Sequence, residues 1–408
     1  MAQNLPVPRA GHQVQLLQGA QEYFPALVEA IDSASREVRL ETYIFDFTDA
    51  SVDVAYALER ASRRGVSVMV VVDGYGTPSL PPAWRERFLQ VGIQWRVFAP
   101  LGTFGMLWPG NWSRMHRKLC VVDGEVAFCG GINLLDDWHD PNHGALQAPR
   151  FDFAVRVTGP LVAQAQEVMD RQWLRMQAAS DMRHARLAGA LTSLRAAGIG
   201  MRGSHGNGAA PPVPGQSTRA ALVLRGALKN RTSIERAYRK AIGAARSEII
   251  IANAYFVPGG KMRRAIISAA QRGVTVKLLL QGRYEYFMQY YAARPIYSAL
   301  LEAGVEIHEY SPSFLHAKVA VIDGHWATVG SSNLDPLSLL LAREANVMVE
   351  DEAFASQLRA RLMHAIEHGG RIMDPQEFSN RPMRQRVFER VALIVMRVLL
   401  LVQGKKYL

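Results

Sequence analysis

Two copies of one polar pattern stand out in the sequence, and each contains residue types that can act on a phosphate group. In both copies a lysine follows a histidine by two positions, an aspartate follows it by seven and an asparagine by seventeen. The members of the two sets are His116, Lys118, Asp123 and Asn133, and His316, Lys318, Asp323 and Asn333. Imidazoles can attack phosphorus or move protons, whereas lysine and amide groups can bind the non-bridging oxygens. Two such sets facing each other would place an imidazole on each side of one phosphorus.

Each pattern is predicted to form a β-hairpin that positions these groups. Asp-Gly dipeptides at 123–124 and 323–324 are typical of tight turns, and short apolar runs flank both of them. Because side chains alternate between the faces of a strand, each histidine projects from the same face as the lysine two positions later. Glycine or serine precedes each asparagine and allows the backbone to approach a ligand. The hydroxyl of Ser331 could bind phosphate, or the residue could serve only a tight turn.

The repeat extends beyond the hairpins and predicts a duplicated α/β fold. Residues 31–45 parallel residues 242–256, and residues 64–73 parallel residues 272–281. Each unit is predicted as helix, strand, helix, strand, helix, strand and then the motif hairpin, which favours a sheet with helices on both faces. The predicted division is a first domain over 1–180, a linker over 181–218, a second domain over 219–375 and a basic, apolar tail over 376–408.

Bulk composition narrows the class of partner and the compartment. The formal net charge of +11 and the pI near 9.8 favour a polyanionic partner, either nucleic acid or an anionic membrane surface. The first residues lack the basic start and apolar core of a signal peptide, and no apolar run reaches the length of a spanning helix. We therefore expect a cytosolic protein.

The motifs resemble the signature of the phospholipase D superfamily, His-x-Lys-x4-Asp followed by Gly-Gly-x-Asn or Gly-Ser-x-Asn. Segments 114–118, 251–256 and 325–338 are also similar to the bacterial cardiolipin synthase B subfamily, and the similarity spans residues 13 to 350. The resemblance implies two duplicated α/β/α sandwich domains packed about a pseudo-twofold axis. It also implies that the active site lies at the interface of the two domains.

The resemblance assigns roles to the motif residues. One histidine forms a covalent phosphohistidine and the other is the acid–base; the sequence does not distinguish them, and the superfamily favours His116 as the nucleophile. Both lysines and both asparagines orient phosphate, and no metal or other cofactor is expected. Asp123 and Asp323 belong to the signature and are grouped with the catalytic set, although their hairpin position favours a structural role. An acidic residue after each motif, Asp152 or Glu344, is expected to hold that motif's own histidine.

The leading functional hypothesis is phosphatidyl transfer, in which one phosphatidylglycerol donates its phosphatidyl group to another and yields cardiolipin and glycerol. Alternatives are a phospholipase D that uses water as acceptor, a nucleic-acid phosphodiesterase and a non-catalytic membrane-binding protein. The first hypothesis predicts an anionic phospholipid as substrate and no nucleic acid partner. It also predicts peripheral attachment to the cytoplasmic side of the bacterial cell membrane, and leaves the oligomeric state open.

Two further segments bear on membrane contact. The segment 101–112 is apolar and aromatic, carries no charge and has no counterpart in the second unit, so it suits either acyl chains or a loop folded over a core. The segment 387–402 is apolar with interrupting charges, and arginines and lysines flank it. It is predicted to form a helix that either lies in the membrane interface or docks on the second domain.

Overall fold

The computed structural model describes residues 5–101, 113–140, 143–183, 189, 191–197, 218–226, 230–283, 287–335 and 342–402. Nearly all of the predicted apolar loop at 101–112 and most of the predicted linker over 181–218 lie outside these ranges. The proposed domain boundaries therefore remain predictions.

The first half alternates strands and helices as its sequence predicts. Its opening elements are β1 (Arg9–Gln18), α1 (Gly19–Asp32), β2 (Glu37–Thr42), α2 (Ser51–Arg63), β3 (Ser67–Asp73), α3 (Pro82–Val91) and β4 (Gln94–Phe98). The motif region then contains β5 (Arg114–Met115), β6 (Lys118–Val122), β7 (Val126–Gly130), β8 (His139–Asp140), β9 (Gly144–Ala145), β10 (Phe153–Thr158) and α4 (Leu161–Arg183).

The second half repeats this order. Its opening elements are β11 (Thr218–Arg225), α5 (Ser233–Ala244), β12 (Glu248–Asn253), α6 (Gly260–Gln271), β13 (Thr275–Gln281), α7 (Phe287–Glu302) and β14 (Glu306–Tyr310). The remaining elements are β15 (Lys318–Ile322), β16 (Trp326–Gly330), β17 (Ala342–Glu350), α8 (Glu352–Gly369), β18 (Gly370–Ile372), α9 (Pro375–Ser379) and α10 (Met383–Val402). The duplicated α/β architecture is thus confirmed.

Apart from β8 and β9, which pair only with each other, the described strands form one continuous mixed sheet that runs through both halves. The order is β18-β14-β13-β12-β15-β16-β17-β11-β1-β10-β7-β6-β2-β3-β4. In each half the three strands that alternate with helices run parallel, and the motif hairpin is antiparallel to them. The first strands of the two halves, β1 and β11, pair antiparallel in the middle of the sheet. From this pair outward the order of seven strands on one side mirrors the order on the other, as a pseudo-twofold axis requires, and β18 adds one further strand at the edge of the second half.

Three apolar cores stabilise this arrangement. One lies in the first half between the sheet and α1 to α3, and a second lies in the second half between the sheet and α5 to α7. The third core contains buried residues of both halves, including Val121 and Val155 of the first and Val319 and Val347 of the second. Helices α4 and α8 also contribute to it. Because apolar burial is the main favourable term in folding, this shared core holds the two motif hairpins against each other.

The predicted C-terminal helix is present as α10. One side of it packs on α7, where the rings of Phe388 and Tyr291 meet edge to face with centroids 5.0 Å apart, and Leu393 is buried. On the remaining surface, Val387, Val391 and Ile394 are exposed. The helix therefore docks on the second half and also presents apolar side chains outward. Among the described residues, no helix combines the length and the hydropathy needed to cross a bilayer.

Candidate active site

The two motif histidines lie where the halves meet, and each is tied through its backbone to the other half. The N–H of His116 donates to the carbonyl of Arg343 at 3.1 Å, and the N–H of His316 donates to the carbonyl of Phe151 at 2.9 Å. Strand β5, just before His116, pairs parallel with β17. An equivalent bridge joins Phe151 to Leu315. These reciprocal contacts bring the two predicted sets together at one interface.

The side chains cross the interface in the same way. Nδ1 of His116 lies 3.1 and 3.2 Å from the two carboxylate oxygens of Glu344, and Nδ1 of His316 lies 2.6 Å from Oδ2 of Asp152. The prediction that each carboxylate holds the histidine of its own motif is therefore wrong. The reason is that β10 and β17 each begin beside the other half's histidine segment, so the acidic residue at the start of each strand contacts the histidine across the boundary.

This pairing determines which ring nitrogen can meet a substrate. Glu344 and Asp152 are buried, while the side chains of His116 and His316 keep 17% and 20% of their surface exposed. Because Nδ1 of each ring faces a carboxylate, Nε2 is the nitrogen left for chemistry. The exposed fractions show that both rings reach the protein surface, where a substrate can contact them.

The two carboxylates are held by different groups. The hydroxyl of Ser331 donates to Glu344 at 2.5 Å and accepts a hydrogen bond from the N–H of Ala345 at 3.1 Å. In the first half Gly131 takes the place of Ser331, and a Cβ there would lie 2.3 Å from an oxygen of Asp152. The hydroxyl of Ser331 therefore orients Glu344, and the phosphate-binding role predicted for it stays a prediction.

Both motif lysines are buried beside their own histidines. Nζ of Lys118 donates to the carbonyl of His116 at 2.7 Å, and Nζ of Lys318 donates to the carbonyl of His316. Burial lowers the pKa of Lys118 to about 7, with Glu344 opposing that shift. An arriving phosphate would favour the charged lysine, because an opposite charge at close range raises the pKa of an amine.

The two histidine–carboxylate pairs differ in their electrostatics. Burial raises the pKa of Asp152 to about 7, and burial followed by the charge of Lys318 holds the pKa of His316 well below its usual value. Burial also lowers the pKa of His116. Burial would raise the pKa of Glu344, but the opposing charge and hydrogen bond of His116 contribute to a net lowering. The directions therefore differ: in the first pair they favour a neutral imidazole on an ionised carboxylate, and in the second pair they favour a proton held on the carboxylate beside a neutral imidazole.

The asparagines follow the hairpins as predicted. The side-chain oxygen of Asn133 accepts a hydrogen bond from the N–H of Ile44 at 3.3 Å. Asn333 is buried, and its side-chain oxygen has no hydrogen-bond partner within the described part of the chain. Their roles in phosphate binding stay predictions.

Asp123 and Asp323 belong to the fold and lie apart from the histidines. Each sits at the opposite end of its hairpin strand from the motif lysine, with a positive φ of 52° or 51°. The Asp123 carboxylate accepts hydrogen bonds at 2.8 Å from the N–H groups of residues 35, 36 and 37, and Asp323 binds those of residues 246–248. These bonds outweigh burial and lower the pKa of each aspartate to about 2. Their place in the catalytic set is therefore corrected, as their hairpin position suggested.

Comparison with known proteins identifies the duplicated unit. The sequence model of the family described as cardiolipin synthase, PLD-like domain, matches residues 27–173 and 238–366. These two segments cover more than half of the chain. The chain belongs to this family. The resemblance to the phospholipase D superfamily that the motifs suggested is thereby confirmed.

Individual members of the PLD-like family are similar over most of the chain. Cardiolipin synthase B of Salmonella typhi is 38% identical over 368 residues, which cover 88% of this chain and 81% of that protein. Cardiolipin synthase B of Escherichia coli K12 is 36% identical over 364 residues, covering 87% and 80% respectively. The crystal structure of phosphatidylserine synthase from Haemophilus influenzae covers 97% of this chain and 96% of its own, with a TM-score of 0.68 and 14% identity. That likeness shows the fold.

Two positioning groups of this PLD-like site were missed in the sequence. Asp73 accepts hydrogen bonds from the N–H groups of Met115 at 2.7 Å and Tyr75 at 2.8 Å, and Gln281 accepts one from Leu315 at 3.3 Å. Each therefore fixes the residue just before a motif histidine. In the aligned repeats Asp73 and Gln281 already occupy equivalent positions at the ends of their strands. A polar residue at the same place in both repeats was the sequence feature that could have identified them.

A third missed residue makes the two PLD-like halves unequal. The ring of Tyr43 lies 4.9 Å from the imidazole of His116 and 5.3 Å from Nζ of Lys118. In the aligned repeat its counterpart is Ala254. The first half thus has an aromatic wall beside its histidine that the aligned residue of the second half cannot provide.

Proposed function

We propose that the protein transfers a phosphatidyl group from one phosphatidylglycerol to another, yielding cardiolipin and glycerol through a phosphohistidine intermediate. The observation that carries this proposal is the crossed pair of histidine–carboxylate contacts with a buried lysine beside each histidine. Similarity to cardiolipin synthase B over most of both chains supports the choice of lipid substrate.

In the first half-reaction, Nε2 of His116 attacks the phosphorus of phosphatidylglycerol. A nitrogen–phosphorus bond forms and the bond from phosphorus to the glycerol oxygen breaks. The His316–Asp152 pair gives its proton to that oxygen, and glycerol leaves. The ionised Glu344 carboxylate balances the positive charge that the phosphorylated imidazole of His116 acquires.

In the second half-reaction, the glycerol hydroxyl of another phosphatidylglycerol occupies the place of the departed glycerol. The His316–Asp152 pair removes its proton, the hydroxyl oxygen attacks phosphorus, and the nitrogen–phosphorus bond breaks. Cardiolipin leaves with His116 free and the proton back on the second pair. The substrate and the product contain the same kind of phosphodiester bond, so the exchange needs no nucleotide-activated donor. One acid–base pair therefore serves both directions.

Lys118 and Lys318 contribute by neutralising the anionic phosphorus centre. A phosphodiester repels nucleophiles through its own charge, and buried cations stabilise the developing charge more strongly than exposed ones. Asn133 and Asn333 would add amide hydrogen bonds to the non-bridging oxygens.

We further propose that the protein attaches peripherally to the cytoplasmic face of the membrane. The net charge of +11 supports attraction to anionic lipid, at about 1 kcal/mol for each well-placed lysine or arginine. The outward apolar residues of α10 would add contact by burial in the membrane interface.

The deciding experiment incubates the protein with vesicles of phosphatidylglycerol labelled in its terminal glycerol and in one acyl chain. Cardiolipin and free glycerol in equal amounts support transfer, and phosphatidic acid as the main product would identify a hydrolase. Cleavage of DNA at a comparable rate would favour a nuclease. The His316→Asn variant, purified in parallel, excludes a contaminating activity.

A further inference from the structure

The two histidine–carboxylate pairs are related by the repeat, yet the charges beside them are opposite. Glycines 130 and 330 mark equivalent positions, since Gly130 pairs with Ala154 and Gly330 with Asn346. Two residues before each partner stand Asp152 and Glu344. Asp152 and Glu344 are therefore equivalent, and the residues that lie beside them on the adjacent strands β1 and β11 can be compared position by position.

In the second half that neighbouring position holds an arginine. Arg225 pairs with Glu344 across β11 and β17, so their side chains leave the sheet on the same face, with Cβ atoms about 5 Å apart. Both residues are buried, at 2% and 0% exposure. The arginine charge acts on the carboxylate and helps to lower its pKa.

In the first half the equivalent position is Gly19. Gln18 pairs with Phe153 as Leu224 pairs with Ala345, so the next residue, Gly19, corresponds to Arg225. Gly19 has no side chain, and a carboxylate occupies the adjacent space: Oδ2 of Asp137 would lie 3.0 Å from a Cβ at this position. The same oxygen accepts a hydrogen bond from the N–H of Ala20. Asp137 is one of the charges that raise the pKa of Asp152.

We infer that Arg225 and Asp137 are positioning residues whose opposite charges break the symmetry of the site and commit His116 to nucleophilic attack and His316 to acid–base work. This inference rests on the proposed phosphohistidine chemistry. The positive charge of Arg225 disfavours an additional proton on the His116–Glu344 pair, so that Glu344 stays ionised and His116 stays a neutral imidazole with Nε2 available for attack. The anion helps to keep a proton on the His316–Asp152 pair, as a leaving group requires.

Other charges face both pairs and are shared more evenly. Lys118 acts on Glu344 and on Asp152, and Lys318 acts on both histidines and on Asp152. Lys118 and Lys318 thus act on both pairs, so they do not separate the two sides. Arg150 acts on His316 and on Asp137 and therefore opposes the effect of Asp137, although its charge is partly balanced by Asp140. The sign change between Arg225 and Asp137 is the difference at equivalent positions of the two halves.

The test is an NMR pH titration of the full-length protein carrying ¹⁵N-labelled histidine, with the two signals assigned from His116→Asn and His316→Asn. In Arg225→Gln, protonation of His116 should move to higher pH by about one unit while His316 is unchanged. In Asp137→Asn, the transition of the His316–Asp152 pair should move to lower pH while His116 is unchanged. Arg225→Lys keeps the charge and should titrate as the wild type does.

Two results would overturn the inference: neither substitution moves a transition, or each moves the transition of the other pair. If Arg225→Gln does not fold, Asp137→Asn decides alone, since an asparagine oxygen can still accept the hydrogen bond from Ala20. The titration needs no turnover. If the wild type makes no cardiolipin, the proposed function is refuted, but the titration still shows whether Arg225 and Asp137 act on the two pairs.

Discussion

His116 and Glu344 stand 228 positions apart in the chain and within 3.2 Å of each other in the site. The carboxylate is fully buried and is also held by the hydroxyl of Ser331, so it can fix both the orientation of the ring and the tautomer with the proton on Nδ1. Because the contact crosses the boundary between the halves, the first motif depends on the end of the second unit.

Glu344→Gln should lower kcat by about 10³-fold, because an amide can hold the ring in the wrong tautomer and cannot balance its charge. Rapid-quench measurement of the phosphohistidine burst should show that formation of the intermediate is the slowed step. Glu350→Gln, at the exposed end of the same strand, is the matched control and should leave the burst unchanged. A normal burst followed by slow cardiolipin formation in Glu344→Gln would contradict this role.

The two histidines should be separable with a donor whose leaving group is p-nitrophenolate. This anion needs no general acid, so His316→Ala should still form the phosphoenzyme from it while losing about 10²–10⁴-fold with phosphatidylglycerol. His116→Ala should form none from either donor. Acid-quenched protein digested and analysed by mass spectrometry locates the label, and label on His316 would reverse the assignment.

Asp123→Asn should weaken folding much more than chemistry. Its pKa of about 2 lies below the ordinary value, so its stabilisation is fully present above about pH 4 and is lost as the pH falls towards 2. We expect the free energy of unfolding in urea to fall by about 2 kcal/mol at pH 7, with the difference from wild type shrinking at pH 3. Asp323→Asn should behave alike. A tenfold loss of kcat at unchanged stability would return Asp123 to the catalytic set.

Much of the fold could be predicted from the sequence because the same pattern of apolar runs, turns and motifs occurs twice. Apolar runs, Asp-Gly turns and two aligned motifs predicted the order of helices and strands in both halves and the approach of the histidines. The sequence did not predict that each carboxylate contacts the histidine of the other half. The spacing of residues along the chain does not show which half a given carboxylate will face. The contact of Ser331 with Glu344 did not follow for a related reason: Glu344 lies on a neighbouring strand, which the motif spacing does not reveal. Tyr43 and Asp73 carry no motif and became meaningful only once their contacts were known.

The outward apolar face of α10 should contribute salt-resistant binding to vesicles. Changing Val387, Val391 and Ile394 together to serine should weaken binding at high salt by about 100-fold, at about 1 kcal/mol for each half-exposed side chain. The Leu89→Ser variant, at an exposed apolar position on α3, is the control. Turnover of a soluble short-chain substrate should be unchanged in both. Equal vesicle sedimentation of the triple variant and the wild type would mean that α10 serves only to dock on α7.

Activity should withstand a strong chelator, because the charge on phosphorus is assigned to Lys118 and Lys318. The check is cardiolipin formation after dialysis against the chelator, compared with the same sample given back single divalent ions. Loss of activity that one ion restores would require a different account of charge stabilisation.

The antiparallel pairing of β1 with β11 has a consequence for how the chain folds. The pairing of β1 with β11 joins the strands of both halves in one sheet, although its register shifts between Arg9 and His12, and the middle core contains side chains from both halves. Neither half can then lose its structure while the other keeps a complete sheet and core. Calorimetry should show one cooperative transition rather than two, and a lesion in either half should lower the melting temperature of the whole. The duplicated chain thus behaves as an intramolecular counterpart of an isologous dimer, in which the symmetric contact is part of each subunit's own stability.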